Sequence, residues 1–381
     1  MKIVKMETFV VPPRWLFLRL ETDEGVVGWG EPIIEGRAST VEAAVEALRP
    51  LLIGADADRI EDIWQACTRG GFYRNGPILN SAVAGVDQAL WDIKGKALGV
   101  PVYQLLGGRV RDGIDAYSWI GGDSPQEVSE HAIQRLEEGF QKFKMNVGGV
   151  LNHLEGTRAI DEIVKRATLV REAIGDSGDF AIDFHGRTSF ALAKKLLKEM
   201  EDVSPLFVEE PLVPELSFRI GALCELTTIP IATGERHYSR GEFIPLLQSG
   251  VSIVQPDVSH AGGISETRRI AALAEAFGAA LAPHCPLGPI ALSSSLQIDF
   301  MSPNAIFQET SLGIHYNAGA DLLDYVCDPQ VFELSDGRFT PSALPGLGIT
   351  VDENRVREMS EIGHSWTNPI WRRADGSLAE W

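Results

Sequence analysis

Acidic and histidine side chains recur at nearly constant spacing through the middle of the sequence. The six members of this series are Asp183, Glu209, Glu235, Asp257, His284 and Glu309, and successive members are 22 to 27 residues apart. A β-strand and the helix that follows it occupy about this length, roughly 30 residues or slightly fewer. One carboxylate after a strand is usually a helix cap or a solvated loop residue. Six in register indicate a functional site at one end of a parallel barrel.

Three carboxylates in this series come from consecutive predicted strands. Asp183, Glu209 and Glu235 have no cysteine near them in the sequence. A hard, oxygen-rich set of this kind suits Mg²⁺, with Mn²⁺ as an alternative, and not a structural zinc ion. Glu210 follows Glu209 directly, and neighbouring side chains on a strand face opposite ways, so only one of the two points inward. The even spacing favours Glu209 as the metal ligand.

Two histidines are candidates for acid/base chemistry beside these carboxylates. His185 lies two residues after Asp183, and a strand period of two predicts that both face the same cavity. His284 ends the seventh strand beside Asp257 on the sixth, and a carboxylate next to an imidazole fixes its tautomer and raises its basicity. One histidine on each side of a metal provides an acid and a base. The remaining histidines are interpreted as structural except His315, which stays open: His131, His153, His237, His260 and His364.

The alternation of strands and helices predicts how these residues are positioned. Eight β-rich runs alternate with helical stretches: AYSWIGG, KFKMNV, FAIDFHG, PLFVEEP, IPIATGER, VSIVQPD, ALAPHC and IFQE. Strand followed by helix, repeated eight times, is typical of a TIM-type (β/α) barrel. We predict this α/β barrel over 115–325, after an α+β domain over 1–114 with a hairpin at Asp23-Glu24-Gly25 and a helix from about Ile78 to Leu98. The tail, 326–381, is predicted to return to the first domain.

Composition excludes several functional classes. The 381 residues include 34 Lys and Arg against 53 Asp and Glu, a formal charge of −19, which argues against a nucleic-acid binder. The four cysteines are scattered without a CxxC pair, so we expect no disulfide framework and a reducing, cytoplasmic setting. The N-terminus does not have the pattern of a signal peptide, and no run approaches the roughly 18 apolar residues of a membrane span.

Motifs along nearly the whole chain resemble those of the enolase superfamily. Those that carry the resemblance are PPRW, TDEGVVGWGEP, GFYRNGPIL, AIDFHGR, FVEEP, QPDVSHAGGI, APHCPLGPIAL, GIHYN and the final AEW. Within that superfamily they are most similar to the D-galactonate dehydratases. The resemblance implies a modified barrel with a capping domain, Mg²⁺ as cofactor, an acid sugar as substrate and assembly as a homo-oligomer.

The resemblance also implies a role for each residue of the site. Asp183, Glu209 and Glu235 correspond to the Mg²⁺ ligands, and His284 with Asp257 corresponds to the base that removes the proton beside the substrate carboxylate. His185 corresponds to the acid that helps the 3-hydroxyl leave, and Glu309 to a residue that holds the substrate carboxylate. The implied reaction converts D-galactonate to 2-dehydro-3-deoxy-D-galactonate and water. The predicted substrate-binding residues are Asn146, Arg14, Trp15, Tyr73, Arg74 and His315.

One departure within the superfamily is informative, and three other functions stay open. Racemases and cycloisomerases of the superfamily carry Lys-x-Lys on the second strand, whereas this chain has Lys144-Met145-Asn146, which argues against a two-base racemase. A barrel glycosidase also places carboxylates at strand ends, but it has little use for a His–Asp pair. A non-catalytic protein that binds a sugar acid and a dehydratase of another aldonate are the remaining alternatives.

Overall fold

The computed structural model describes residues 1–122 and 124–381. Its strands are β1 (Ile3–Val11), β2 (Trp15–Thr22), β3 (Val27–Gly30), β4 (Ile114–Ile120), β5 (Lys142–Asn146), β6 (Asp179–Asp183), β7 (Val208–Glu209), β8 (Ile231–Thr233), β9 (Ile253–Val254), β10 (Ala280–Leu281), β11 (Phe307–Thr310), β12 (Arg338–Phe339), β13 (Trp371–Arg372) and β14 (Leu378–Ala379). Its α-helices are α1 (Ala38–Leu52), α2 (Ile60–Arg69), α3 (Pro77–Leu98), α4 (Val102–Leu105), α5 (Pro125–Glu137), α6 (Thr157–Ile174), α7 (Phe190–Met200), α8 (Ile220–Cys224), α9 (Arg240–Gln248), α10 (Gly263–Ala276), α11 (Pro289–Met301) and α12 (Glu353–Ile362). None of the helices in these residues is long and apolar enough to cross a membrane.

The N-terminal region is an antiparallel sheet, in the order β1-β2-β3, packed on helices α1 to α3. The predicted hairpin joins β2 to β3, and Gly25 takes a left-handed backbone with φ of 78° in its turn. Strand β1 was not predicted, although its buried positions recur along it. The approach of β3 to α3 needs glycine, because a Cβ added to Gly30 would lie 1.9 Å from the backbone oxygen of Gly85.

Strands β4 to β11 form the predicted parallel barrel. They hydrogen-bond in sequence from β4 to β10, β11 pairs with β4, and a parallel bridge between Leu281 and Ala305 closes the ring. All eight predicted strands are confirmed. The interior of the barrel is filled by a small cluster: Ala181, Phe207, Ala232, Ile253 and Ala282. Several residues of this cluster lie two positions before a residue of the predicted site. Side chains two positions apart on a strand face the same way, so the cluster residue and the site residue both point toward the barrel axis.

The eighth strand–helix repeat differs from the prediction. Helices α5 to α11 follow β4 to β10 in turn, but no α-helix follows β11 directly in the part of the chain described. Two short 3-10 helices follow β11 instead, at Leu322–Tyr325 and Pro329–Phe332. Strand β12 then pairs antiparallel with β4. The chain leaves the barrel at this point because it returns to the N-terminal region.

The C-terminal tail completes the N-terminal region, as the sequence predicted. Helix α12 packs on β1, and Arg357 contacts Glu7 at 3.0 Å while Glu353 contacts Arg19 at 3.0 Å. Beyond α12 the chain crosses to the mouth of the barrel, where β13 and β14 form a two-stranded ribbon. The domain boundaries at 114 and 325 stay predictions.

Candidate active site

A cavity of about 980 Å³ lies at the C-terminal ends of the barrel strands, walled by barrel loops, the N-terminal region and the tail. Eight of the predicted site residues line it: Asp183, His185, Glu235, His284, Glu309, Asn146, Arg14 and His315. Two more, Glu209 and Asp257, are fully buried and contact residues that line the cavity. The barrel therefore brings ten of the thirteen predicted residues together.

The three predicted metal ligands come from neighbouring strands. Asp183 ends β6 directly opposite Glu209, which ends β7, and Glu235 lies two residues after β8. All three are buried. Burial raises the pKa of each carboxyl group to about 7, and the negative charge of the neighbouring carboxylates acts in the same direction. A divalent cation is the partner that such a concentration of buried negative charge favours.

The three carboxylates are not drawn together around one point. Their oxygens do not all approach within 4.8 Å, a distance met in residues 1–122 and 124–381 only by Asp257, His260 and His284. Both oxygens of Glu209 have protein partners, Lys144 Nζ at 2.6 Å and Gln255 Nε2 at 2.7 Å. The all-oxygen donor set fits Mg²⁺, but these side chains must turn toward a shared position to hold it.

Lys144 connects two carboxylates beneath the cavity. Its buried Nζ lies 2.6 Å from Glu209 and 2.7 Å from Glu309. Although burial lowers the pKa of this lysine, the two carboxylates raise it well above its ordinary value, so it is charged. Burial raises the pKa of Glu309, but Lys144, His284 and the backbone N–H of Cys285 together outweigh that effect and lower it. The strand period of two could have indicated Lys144 as a residue of the site, because it lies two residues before Asn146 on the same strand face.

His284 and Asp257 form a close pair. Nδ1 of His284 lies 2.8 Å from Oδ2 of Asp257, whose other oxygen accepts a hydrogen bond from the backbone N–H of Ser259 at 2.7 Å. Nε2 of His284 lies 3.5 Å from Glu235. Burial lowers the pKa of His284, but Glu235, Glu309 and Asp257 together raise it well above its ordinary value. The pair presents Nε2 as the atom available for proton transfer.

His185 reaches the cavity by a different route from the one predicted. Strand β6 ends at Asp183, and His185 lies beyond it in a left-handed conformation with φ of 52°. The alternation of side chains along a strand therefore does not determine which way the His185 side chain points. Its Nδ1 contacts the backbone oxygen of Trp381, and its ring meets the Trp381 ring edge-on at 5.6 Å. Burial, reinforced by the positive charges of Arg187 and Arg236, lowers its pKa to about 3.

The side-chain amide of Asn146 is oriented by Trp119. Its Oδ1 accepts a hydrogen bond from Trp119 Nε1 at 2.9 Å, which leaves the NH₂ group as a donor. The Trp119 ring lies 4.6 Å from the ring of His315, which lines the same wall. Asn146 is therefore suited to donate to a ligand oxygen.

Three predicted substrate-binding residues do not line the cavity. Trp15 begins β2 and is fully buried in the core, stacked on Phe17. Tyr73 is 87% exposed in the loop between α2 and α3, and Arg74 in the same loop is exposed and donates to the backbone oxygen of Gly71. Pairing of β2 with its neighbouring strands turns the Trp15 side chain into the core. Tyr73 and Arg74 lie on the outer surface because the 70–76 loop runs there.

Arg14 precedes Trp15 in the chain, but its side chain faces the cavity and not the core. It lies in the turn between β1 and β2, almost fully buried, and lines the cavity. Its guanidinium group donates to the backbone oxygen of Pro286 and to Glu35 at 3.3 Å, and it lies 4.6 Å from the centre of the Tyr316 ring. The N-terminal region thus contacts the loop that follows His284.

Sequence reasoning missed several residues of the cavity wall. They are His260, Glu35, Tyr316, Trp366 and Trp381. His260 was interpreted as structural, but its position three residues after Asp257 brings it to the same strand end. The tail residues Trp366 and Trp381 carry no periodic pattern that would have indicated them.

Comparison with known proteins gives full-length matches. Residues 127–355 match the family profile described as enolase C-terminal domain-like, and residues 5–107 match the mandelate racemase / muconate lactonizing enzyme N-terminal domain. D-galactonate dehydratases from Pectobacterium atrosepticum and Verminephrobacter eiseniae are 56% and 54% identical over 100% of this chain and of theirs. An enolase structure from Agrobacterium radiobacter, provisionally assigned as a galactarate dehydratase with sodium and L-malate bound, shares 31% identity over 100% of both chains, with a TM-score of 0.90.

Proposed function

Because this chain belongs to the mandelate racemase and muconate lactonizing enzyme family of the enolase superfamily, we propose that it dehydrates D-galactonate to 2-dehydro-3-deoxy-D-galactonate. The observation that carries the proposal is full-length identity of 54–56% to D-galactonate dehydratases. The cavity supports it, since two histidines and the three carboxylates line it or lie directly beneath it. A hydro-lyase acting beside a carboxylate needs this combination of acid, base and cation site.

Asp183, Glu209 and Glu235 are proposed to hold Mg²⁺, with Mn²⁺ as an alternative ion. When bound, the ion supplies the positive charge that makes the proton next to the substrate carboxylate removable. Glu309 and Lys144 are proposed to act at the same end of the substrate. The charged Nζ of Lys144, 2.7 Å from Glu309, keeps that carboxylate from repelling the substrate's own negative charge.

His284 is proposed to be the base. In its neutral form Nδ1–H donates to Asp257, so the free electron pair of Nε2 faces the cavity and takes the proton from C2. The electrons of the broken C–H bond move into the C1–C2 bond of the substrate enediolate. Asp257 then stabilises the imidazolium that His284 has become.

His185 is proposed to be the acid. As the imidazolium, His185 donates Nδ1–H to the backbone oxygen of Trp381 and delivers the Nε2 proton to the 3-hydroxyl. Burial, Arg187 and Arg236 lower its pKa in the unliganded site, and the negative charge of the bound substrate acts in the opposite direction and favours the protonated form. The C3–O bond breaks and the oxygen leaves as water, while the electrons of the enediolate form the C2–C3 double bond. The resulting enol accepts a proton at C3 and becomes the 2-keto product. Asn146, Arg14 and His315 line the cavity and are proposed to contact the substrate.

A panel of C5 and C6 aldonates, assayed with Mg²⁺ for the 2-keto product, tests this function. D-galactonate should have the highest kcat/KM of the panel. Much faster turnover of D-gluconate or D-mannonate would move the proposal to another aldonate. Full activity in a chelator would favour the glycosidase alternative. Substrate binding with no exchange of the C2 proton would favour a non-catalytic sugar-acid binder.

A further inference from the structure

Two charged residues in the cavity wall have no part in the chemistry described so far. Glu35 comes from the loop between β3 and α1, and His260 comes from the loop between β9 and α10. We propose that Glu35 and His260 form a subsite that binds the hydroxyl groups of the substrate beyond C3, and that it selects a polyol end over a second carboxylate. The subsite rests on the proposed function and names which end of the substrate these residues recognise.

The geometry of the pair leaves hydrogen-bonding capacity for a ligand. His260 is 5% exposed, yet its Nε2 has no hydrogen-bond partner among the described residues. The nearest charged atom is an oxygen of Glu35 at 3.5 Å, which is too long for a direct bond of normal strength. The other oxygen of Glu35 has only a long contact, 3.3 Å, from Arg14. A buried polar atom without a partner, in the wall of a cavity, is suited to a ligand hydroxyl.

The distance to the base places this pair along the substrate chain. The rings of His260 and His284 are 5.8 Å apart, and both line the cavity. A linear aldonate whose C2 lies at His284 reaches His260 within a few carbon–carbon bonds. The hydroxyl groups carried there are those beyond the bonds that react, which is where an aldonate differs from its shorter and its diacid relatives.

The charges of the pair determine what the subsite accepts. Burial lowers the pKa of His260, but Asp257 and Glu35 outweigh it and raise it, while His260 and Arg14 lower that of Glu35 despite its burial. The carboxylate of Glu35 accepts hydrogen bonds from hydroxyl groups, and the imidazolium of His260 donates one. A second substrate carboxylate would meet the negative charge of Glu35. The positive charges of Arg14 and His260 offer little compensation, since both already lie against Glu35, at 3.3 and 3.5 Å.

The test compares Glu35→Gln and His260→Asn with the unaltered enzyme on three acids. These are D-galactonate, galactarate and the four-carbon aldonate with the same configuration at C2 and C3. For D-galactonate, kcat/KM should fall about 10- to 100-fold, mainly through KM, as expected for the loss of a hydrogen bond to a charged group. For the four-carbon acid, which lacks the distal hydroxyls, kcat/KM should change less than about threefold, which is well below the effect of losing one hydrogen bond to a charged group. Glu35→Gln should also raise the ratio of galactarate to galactonate turnover.

Two controls distinguish a subsite from a structural effect. Glu42→Gln makes the same change in nearby helix α1, where the carboxylate bonds Thr8 outside the cavity, and should leave all three substrates unaffected. Exchange of the C2 proton at saturating D-galactonate should be unchanged in Glu35→Gln. An equal loss on all three acids, or slower exchange at saturation, would overturn the subsite and assign the pair to supporting Asp257.

The subsite and the proposed function fail separately. If the unaltered enzyme does not dehydrate D-galactonate, the proposed function is wrong. Calorimetric binding of six-carbon and four-carbon aldonates to the unaltered and Glu35→Gln proteins then tests the subsite without turnover. Equal affinities of the two proteins for the six-carbon acid would overturn it.

Discussion

Nδ1 of His284 lies 2.8 Å from Oδ2 of Asp257, and this carboxylate is completely shielded from solvent. The contact fixes the imidazole with Nδ1–H toward Asp257 and Nε2 toward the cavity. The Nδ1 atom of His185 instead meets a backbone oxygen of Trp381. Burial and the positive charges of Arg187 and Arg236 lower the pKa of His185, whereas Glu235, Glu309 and Asp257 outweigh burial and raise the pKa of His284. The two histidines are therefore unequal, and the stronger base is His284.

The first prediction concerns the base. His284→Asn should abolish both formation of the 2-keto product and exchange of the substrate C2 proton with D₂O, because both need the same proton acceptor. Asp257→Asn should keep the geometry but lower kcat, because the imidazolium loses its charged partner. Proton NMR of recovered substrate measures exchange, and a 2-keto assay measures product. Exchange at the normal rate in His284→Asn would exclude this residue as the base.

The second prediction concerns the acid. His185→Asn should lower dehydration by about 10²–10⁴-fold, the usual contribution of general acid catalysis, while the base stays intact. The proton can then return from His284, so deuterium should appear at C2 of recovered D-galactonate. The same NMR assay measures it. Exchange in His284→Asn combined with none in His185→Asn would reverse the two roles.

The third prediction concerns the metal. Activity should disappear in EDTA and return with Mg²⁺ or Mn²⁺, because Asp183, Glu209 and Glu235 bring buried negative charge to one cavity. Glu235→Gln should be nearly inactive and should bind Mg²⁺ more weakly in calorimetry. Full activity in exhaustively chelated enzyme would falsify the metal site.

The fourth prediction concerns Lys144, which bridges Glu209 and Glu309. Lys144→Met should lower the free energy of unfolding in chelator by about 3–5 kcal/mol, because it leaves two buried carboxylates without their cation. It should also abolish dehydration. Lys142→Met is the matched control, since Lys142 is on the same strand but pairs with the partly exposed Asp179 at 3.3 Å. Its effect should stay below about 1 kcal/mol. Equal losses in urea unfolding would show that burial of the bridge is unimportant.

The barrel and its ring of polar residues were predictable because both depend on local periodicity. A residue that ends a buried strand and recurs once per strand–helix repeat must join its equivalents at one end of the barrel. The same reasoning separated Glu209 from Glu210. Glu210 turns away from the cavity and receives hydrogen bonds from Gly234 and Arg236. The eighth helix was expected by extension of the repeat, and it is replaced where the chain returns to its N-terminal region.

Residues whose positions depend on long-range packing were not predictable. Arg14 and Trp15 are neighbours, but one lines the cavity and the other is in the core, because β2 begins between them. His185 was assigned to the right cavity by a strand argument, whereas a left-handed turn after β6 brings it there. Trp381 reaches the site only because the tail crosses back over the barrel mouth, and no local pattern encodes that path.

The last prediction concerns the attachment of the tail. Glu7 on β1 contacts Arg357 on α12 at 3.0 Å and Lys5 at 2.9 Å, and these contacts lower its pKa from 4.5 to about 2. A carboxyl group whose pKa is lower in the folded state adds stability above its unfolded pKa and loses it as pH falls through the folded value. Glu7→Gln should therefore cost up to about 1 kcal/mol at pH 7, since Arg357 is partly exposed. The difference from the unaltered protein should shrink below pH 4.5 toward pH 2. Urea unfolding from pH 7 downward measures it, with Glu358→Gln, on the exposed side of α12, as control. A difference that stays constant with pH would show that Glu7 acts through packing and not through its charge.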